Sequence, residues 1–176
     1  MKKNIFIVLL LVFIFNSGLM ASPHSYQEYV SDLKKNVNTV SKFIVLIDYG
    51  KPIFLNRFLV FESKTGKLVF SAKVGHAYRS GFLRPFIFSN VVNSNRTSTG
   101  LYKVGKFYRG KFGKSIRLHG LSDTNSNAFR RAIVVHKASY GKYGALWSDG
   151  CFTFFESDYK RVLFYLARSQ YIKVIR

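Results

Sequence analysis

The spacing of hydrophobic and polar positions changes near residue 43. Between residues 26 and 40, apolar side chains recur every three or four positions, which predicts an amphipathic helix leading into the domain. The members of this stripe are Tyr26, Tyr29, Val30, Leu33, Val37 and Val40. We interpret the stripe as a packing surface and not as a binding site.

From residue 43 onward, short apolar runs separated by turn residues predict strands. The runs are 43–48, 57–62, 68–74, 100–107, 115–118, 133–135 and 171–175. Residues 64–67 (KTGK) and 109–113 predict turns, and the polar stretch 89–100 predicts a loop near the functional site. Ser157 suits the N-cap of a helix that extends to Arg168. The sequence therefore predicts a mainly β domain, a sandwich or barrel with a few short helices.

The first 21 residues have the pattern of a secretory signal peptide. Lys2 and Lys3 precede an unbroken apolar stretch at 5–15, and small residues suit cleavage after Ala21. The alternative is an uncleaved membrane anchor, but a spanning helix needs about 20 apolar residues. We expect export to the periplasm or cell envelope. The predicted organisation is a signal peptide at 1–21, a helical segment at 22–42 and one domain at 43–176.

The chain is strongly basic, with 28 Lys and Arg against 8 Asp and Glu and a net charge of +20. Such a charge attracts polyanions. An export signal argues against nucleic acid as the partner, so we expect anionic materials of the cell envelope instead. These are peptide carboxylates, phosphate polymers or lipid headgroups. The alternative is that the charge serves only solubility. We expect the protein to be a monomer.

Cys151 is the single cysteine of the chain, so no internal disulfide forms. It follows His136 by 15 residues, and a thiol becomes a nucleophile when an imidazole takes its proton. The alternatives are a buried, inert thiol and a core histidine at a strand end. One cysteine and scattered histidines have no metal-ligand spacing, so we expect neither a metal nor a cofactor.

Four segments are similar to those of a known family. They are VGHAYRSG at 74–81, FSN at 88–90 with STGLY at 98–102, YRGKFGKSIRL at 108–118, and NAFRRAIVVH at 127–136 with SDGC at 148–151. In this order they resemble the YkuD-type L,D-transpeptidase catalytic domain, and more closely its murein L,D-transpeptidase branch. The resemblance covers about 43–176. It implies a mainly β domain with the catalytic residues at one end of a cleft.

The resemblance also implies a thioester mechanism. Cys151 is the nucleophile, His136 exchanges protons, and backbone N–H groups at Gly150 and Cys151 stabilise the oxyanion. Ser148 and Asp149 complete the catalytic loop. Five further residues are candidates for lining the substrate cleft: His76, Arg79, His119, Lys137 and Trp147.

The sequence departs from the family pattern at three places. Asp149 stands where the broad family has histidine, and its charge opposes thiolate formation unless it points away. Lys137 stands where a small residue is usual, and a cation there assists the thiolate or binds a substrate carboxylate. Residues 152–154 (FTF) replace the usual Arg or Pro, which affects recognition of the acceptor peptide.

The first functional hypothesis is a peptidoglycan L,D-transpeptidase that cross-links stem peptides. An L,D-carboxypeptidase or an amidase shares the first half-reaction and then uses water. Attachment of a lipoprotein to the cell wall is a further outcome of the same chemistry. The alternative from a different class is a non-catalytic cell-wall binding protein.

Overall fold

A computed structural model describes residues 23–36, 41–139 and 146–176 of the chain. The predicted signal peptide at 1–21 lies outside these residues, so export and cleavage stay predictions. Within the described part, no helix is both long and apolar enough to cross a membrane. Helix α1 runs over Pro23–Asn36, and the predicted continuation to residue 40 lies outside the described residues.

The described residues contain ten strands and a second helix. Their bounds are β1 Phe43–Asp48, β2 Phe58–Glu62, β3 Leu68–Ala72, β4 His76–Ala77, β5 Gly100–Gly110, β6 Gly113–Gly120, β7 Val134–Lys137, β8 Trp147–Ser148, β9 Phe152–Phe154, α2 Glu156–Leu166 and β10 Tyr171–Ile175. Eight strands form one mixed sheet in the order β3-β2-β1-β10-β5-β6-β7-β9, and β4 pairs with β8. β10 is parallel to β1 and antiparallel to β5, so it joins the two halves of the sheet. The prediction of a mainly β domain is confirmed.

The large sheet curls around one core. Phe58 of β2 contacts Phe154 of β9 with ring centroids 5.0 Å apart, although these strands lie near opposite ends of the sheet. Val45 and Tyr102, from the two halves of the sheet, are fully buried in the same cluster. The sandwich or barrel expected from the sequence is therefore built from one strongly curled sheet, and strand twist supplies the curvature.

The two helices cover different faces of the sheet. Val30 and Leu33 of α1 pack with residues of β1 and β2 on the outer side, in a cluster separate from the main core. Val162 and Leu166 of α2 are buried in the main core itself. The sheet is thus covered from outside by α1 and filled from inside with the help of α2.

The β5–β6 hairpin is longer and tighter than the sequence predicts. Its strands pair as far as Gly110 and Gly113, so Lys111 and Phe112 alone form the turn in place of the predicted 109–113. Gly113 has a φ of 78°, which glycine adopts without strain. The alternation is weak in the sequence because an apolar side chain, Phe107, is exposed and a polar one, Ser115, is buried.

Helix α2 begins at Glu156 with Phe155 at the N-cap position, so the predicted N-cap at Ser157 is wrong. Phe155 makes no side-chain capping hydrogen bond. Glu156 and Asp158 instead place carboxylates in the first turn, where they favour the positive end of the helix dipole. The helix ends at Leu166, two residues before the predicted end at Arg168.

Candidate active site

Sheet register brings Cys151 and His136 to the same face of neighbouring strands. β7 and β9 are parallel, with Val135 opposite Phe152 and His136 opposite Thr153. Val135 and Phe152 point into the core. His136 and Cys151 therefore point to the other face, because side chains alternate along a strand. Extending this register by one residue makes Val134 the neighbour of Cys151, so Cys151 and His136 are diagonal neighbours on this face.

The imidazole of His136 is buried and held in one tautomer. Its Nδ1 lies 2.7 Å from the carbonyl oxygen of Lys137, and because a carbonyl only accepts, Nδ1 carries the hydrogen. The Phe112 ring stacks on the imidazole with centroids 3.9 Å apart. Burial lowers the pKa of His136, the bond to the Lys137 carbonyl raises it, and the charge of Lys111 lowers it. His136 is therefore neutral near pH 7, with its lone pair on Nε2.

The side chain of Cys151 is half-buried and protonated at rest. Its Sγ lies 3.7 Å from the carbonyl oxygen of Ala132. Burial raises the pKa of the thiol, and the charge of Asp149 raises it further. Three groups oppose this shift: the N–H of Val134 and the guanidinium groups of Arg131 and Arg117. Both shifts favour the neutral forms at rest, a thiol on Cys151 and an unprotonated imidazole on His136.

Ser148 organises the loop that carries the thiol. Its hydroxyl donates to the carbonyl of Cys151 at 2.8 Å and accepts the N–H of Gly150 at 3.1 Å. Gly150 has a φ of 129°, and a Cβ there would lie 3.0 Å from Ile133 Cδ1 and 3.2 Å from Arg131 Nη2. Glycine is therefore required at position 150 for two reasons: the positive φ disfavours other residues, and a Cβ would crowd Ile133 and Arg131. The Gly150 N–H, one of the two predicted oxyanion donors, is bound to Ser148 Oγ here, and its role toward the oxyanion stays a prediction.

Arg131 connects the catalytic loop to the polar stretch 89–100, and the sequence analysis assigned it no role. Its Nη1 donates to the carbonyl of Ser89 at 2.8 Å and to Ser98 Oγ at 3.1 Å, and its Nη2 donates to the carbonyl of Arg96. The same guanidinium lies against Gly150 and lowers the thiol pKa. The predicted loop 89–100 thus reaches the site through Arg131. The available signal was its place five residues before His136 in the family-like segment.

Arg117 lies in the row of residues that contains the thiol. Arg117 pairs with Val134 on β7. The next residue, Val135, pairs with Phe152, so Val134 lies beside Cys151. Arg117 also lines an open groove of about 420 Å³ together with His119. We name this the His119 groove; its lining is Lys106, Tyr108, Arg117, His119 and Phe129. The predicted lining residue His119 is exposed there, stacked on Phe129 at 5.2 Å.

A second groove, of about 630 Å³, lies between the β5–β6 turn, the end of β7 and helix α2. We name it the lysine groove; its charged lining residues are Lys111, Lys114, Lys137, Lys160 and Glu156. Phe112, which stacks on His136, is one of its walls. The Lys137 ammonium is 2.6 Å from the Glu156 carboxylate in an exposed ion pair. Lys137 is therefore directed to this groove and to α2.

His76 does not line a cleft, and this prediction is corrected. Its side chain is fully buried, and both ring nitrogens have partners. Nδ1 accepts from Arg57 Nη2 at 2.8 Å, and Nε2 donates to the carbonyl of Gly81 at 2.8 Å. Burial lowers the pKa of His76 to about 4, and the charge of Arg57 acts in the same direction. The family-like segment suggested a cleft-lining residue, whereas a buried arginine holds this histidine in the interior.

The remaining predicted residues lie around the loop. Asp149 is exposed beside the thiol. Trp147 stacks on Phe82 with centroids 5.0 Å apart, and Arg79 is exposed on the short 3-10 helix Tyr78–Ser80. In the described ranges, no three or more His, Cys, Asp or Glu side chains are grouped to hold a metal ion.

A family model described as L,D-transpeptidase catalytic domain matches residues 20–174. The chain belongs to this family. The resemblance seen in the sequence is thus confirmed, while the roles of individual residues rest on the geometry above. No curated protein matches the chain.

Solved structures share the fold at low identity. The helical cell shape determining protein Pgp2 from Campylobacter jejuni superposes with a TM-score of 0.51 at 12% identity, over 85% of this chain and 54% of that chain. Bdellovibrio bacteriovorus Bd1075 gives a TM-score of 0.52 at 12% identity, over 77% of this chain and 48% of that chain. The chain spans about half the length of each of these structures. At such identities the likeness concerns the fold alone.

Proposed function

We propose that this protein is a cell-envelope L,D-transpeptidase that joins peptidoglycan stem peptides through a thioester on Cys151. The orientation of His136 carries the proposal. Its Nδ1–H donates to the Lys137 carbonyl, so Nε2 is the basic nitrogen on the face shared with Cys151. A neutral imidazole beside a neutral thiol suits general-base activation at the moment of attack. The envelope location rests on the predicted signal peptide.

In the first half-reaction, the Cys151 thiol turns from the Ala132 carbonyl and gives its proton to Nε2 of His136. Sγ then attacks the scissile amide carbon of the donor stem peptide. Since the Gly150 N–H is bound to Ser148, we assign the N–H of Cys151 to the developing oxyanion. The carbon–nitrogen bond breaks, the imidazolium returns the proton to the leaving amine, and a thioester remains.

In the second half-reaction, an amine of the acceptor stem peptide attacks the thioester carbonyl. Nε2 of His136 takes a proton from the attacking nitrogen, and the carbon–sulfur bond breaks. The proton passes to the Cys151 sulfur, which restores the resting thiol. The product is a new amide between two stems, and water in place of the amine gives hydrolysis.

The two grooves favour transpeptidation over hydrolysis. The lysine groove adjoins His136 through Phe112, and the His119 groove adjoins Cys151 through Arg117. A reaction between two peptides needs a binding surface on each side of the reactive pair, whereas hydrolysis needs one. Basic side chains in both grooves suit the carboxylates of stem peptides.

The test is mass spectrometry of muropeptides after incubation of the full chain with peptidoglycan and with stem tetrapeptides. We expect cross-linked dimers with the wild type and none with Cys151→Ala. Because Cys151 is only half-buried, this truncation should leave the unfolding midpoint nearly unchanged, which circular dichroism checks.

Two results would redirect the proposal. Shortened stems without dimers, formed only when Cys151 is present, would assign a hydrolase. Identical profiles for folded wild type and folded Cys151→Ala, together with retention on peptidoglycan, would assign the non-catalytic binder.

A further inference from the structure

A group of exposed apolar side chains lies on one loop, residues 78–87, which we name the Phe82 loop. Its members Tyr78, Phe82, Leu83 and Phe86 are 49%, 61%, 53% and 70% exposed. Single exposed apolar residues are ordinary, but a contiguous group of large ones marks an interaction surface. The reaction proposed above does not use this loop.

The Phe82 loop is anchored from inside. The N–H groups of Phe86 and Ile87 donate to the carbonyl of Ser80 at 2.9 and 3.1 Å, which closes the loop on itself. Ser80 is buried, and its Oγ accepts the N–H of Thr97 at 2.8 Å. The N–H of Ile53 donates to the carbonyl of Leu83 at 2.7 Å. The backbone is therefore held, and the apolar side chains stay directed to solvent.

Trp147 extends the cluster toward the thiol. Its ring stacks on Phe82 at 5.0 Å and meets Tyr78 edge-on at 6.2 Å, and its Nε1–H donates to the carbonyl of Phe82 at 3.2 Å. An indole with an apolar body and a polar edge is suited to the boundary between lipid and water. Trp147 lies four residues before Cys151, so a surface bound here approaches the catalytic loop.

The charged residues of the Phe82 loop itself have one sign. Arg79 and Arg84 are exposed within the loop. The sequence contains no acidic residue between Glu62 and Asp123. Asp149, exposed two residues after Trp147, is the acidic residue nearest to the cluster in sequence. An apolar loop whose own charged residues are all cations fits a partner that combines an apolar interior with surface phosphates.

We propose that the Phe82 loop docks on an anionic phospholipid surface. Phe82, Leu83 and Phe86 enter the headgroup boundary, while Arg79 and Arg84 contact phosphates. A second copy of the chain is a poor occupant because each copy carries a net charge of +20. A glycan, which stacks on aromatic faces such as those of Tyr78 and Phe82, is the competing occupant that the experiment separates from lipid.

The full chain carries its own reporter, because Trp147 is the only tryptophan. We would mix it with vesicles of phosphatidylcholine alone or with phosphatidylglycerol, with brominated acyl chains in both. We expect Trp147 fluorescence to shift to the blue and to be quenched by the anionic vesicles, and the effect to weaken with salt. This readout reports the Phe82 loop even when residues 5–15 also enter the bilayer.

The variants avoid residues that touch Trp147. Leu83→Ser with Phe86→Ser should weaken the quenching-derived affinity about tenfold or more, and Arg79→Gln with Arg84→Gln about tenfold or more. Leu68→Ser, a residue 48% exposed on edge strand β3, is the matched control and should bind like the wild type.

Four outcomes would overturn the proposal. Two concern vesicles: sedimentation of the protein with them without quenching of Trp147, and equal quenching by neutral and anionic vesicles. The other two concern lipid-free samples: a blue shift of Trp147 fluorescence caused by muropeptide glycan alone, and a blue shift that grows with protein concentration. Because none of these depends on turnover, failure here is distinct from failure of the transpeptidase proposal.

Discussion

His76 and His136 are both buried histidines whose pKa burial lowers, yet their hydrogen bonds differ. Both ring nitrogens of His76 are engaged, by Arg57 and by the carbonyl of Gly81. For His136, the hydrogen bond formed within the described residues is that of Nδ1 to the Lys137 carbonyl. Burial and pKa alone would not distinguish the roles of the two histidines. The distinction comes from Nε2 of His136, which has no hydrogen-bond partner among the described residues. A histidine with no spare nitrogen supports structure, and one with a spare nitrogen can exchange a proton.

The surroundings of His76 explain why it is satisfied. Arg57 is fully buried, donates to the carbonyl of Val74 through Nε at 2.9 Å, and lies 4.9 Å from the Tyr49 ring. Its charge requires a neutral acceptor, which is Nδ1 of His76. His76 belongs to β4, which pairs with β8, and β8 leads directly into the Cys151 loop. The Arg57–His76 pair therefore supports the Cys151 loop through β4 and β8 and does not contact the reacting atoms.

The strongest test of this comparison exchanges each histidine for glutamine. We expect His136→Gln to lower turnover about 10²–10⁴-fold, because the general base is lost, with little change in unfolding midpoint. His76→Gln should instead destabilise the fold by about 1–3 kcal/mol, because the Arg57 donor is poorly satisfied. Muropeptide turnover and urea unfolding measure the two effects. Equal loss of activity at unchanged stability in both variants would contradict the distinction.

The acid limb of stability sharpens the comparison. The folded pKa of His76 is about 4, below the ordinary value of about 6.5, so the unfolded chain binds this proton more tightly. Stability is therefore complete above about pH 6.5 and falls as the pH drops toward 4, by up to about 3 kcal/mol. His136 adds to the same trend.

Urea unfolding at several pH values between 7 and 4 measures this slope. His76→Gln should be less stable at pH 7 and flatter in its pH dependence. His119→Gln, which changes an exposed histidine, should keep the wild-type slope. A wild-type slope in His76→Gln would show that other groups cause the acid limb.

Arg131→Gln tests the thiol side of the site. The change removes a cation that lowers the pKa of Cys151 and the donor to three groups of the loop 89–100. We expect the pH midpoint of iodoacetamide alkylation to rise and turnover to fall about tenfold. Arg130→Gln, at the exposed neighbour, is the matched control. An unchanged alkylation midpoint in folded Arg131→Gln would exclude its electrostatic role.

The smallest predicted effect is that of Asp149→Asn. Removing this charge lowers the pKa of Cys151, so alkylation at pH 7 should become a few-fold faster, about the size expected for one exposed charge. Asp158→Asn, on α2, should alkylate at the wild-type rate. A slower reaction in Asp149→Asn would mean that the carboxylate orders the loop more than it opposes the thiolate.

The parts predictable from sequence are those that depend on local pattern. The runs at 43–48 and 171–175 match β1 and β10, because both are apolar strands at the centre of the sheet. The family resemblance implied that His136 and Cys151 act together, and the parallel pairing of β7 with β9, a strand that the sequence analysis did not predict, accounts for their placement. The burial of His76 was not predictable, since it depends on Arg57, which is 19 residues away. Arg131 is one of 28 Lys and Arg residues, and the sequence does not distinguish it from the others because its role depends on its hydrogen-bond partners.

The position of β10 has a consequence for how the chain folds. Among the described residues, β10 is the last strand in sequence, yet it lies between β1 and β5 and alone joins the two halves of the sheet. Synthesis therefore produces both halves before the segment that connects them. Closure must wait for residues 171–175 to meet residues 43–48, a contact of long sequence separation that slows folding. Both halves of the site, Arg117 on one side of β10 and the support of His76 on the other, therefore depend on the pairing of β10 with β1 and β5.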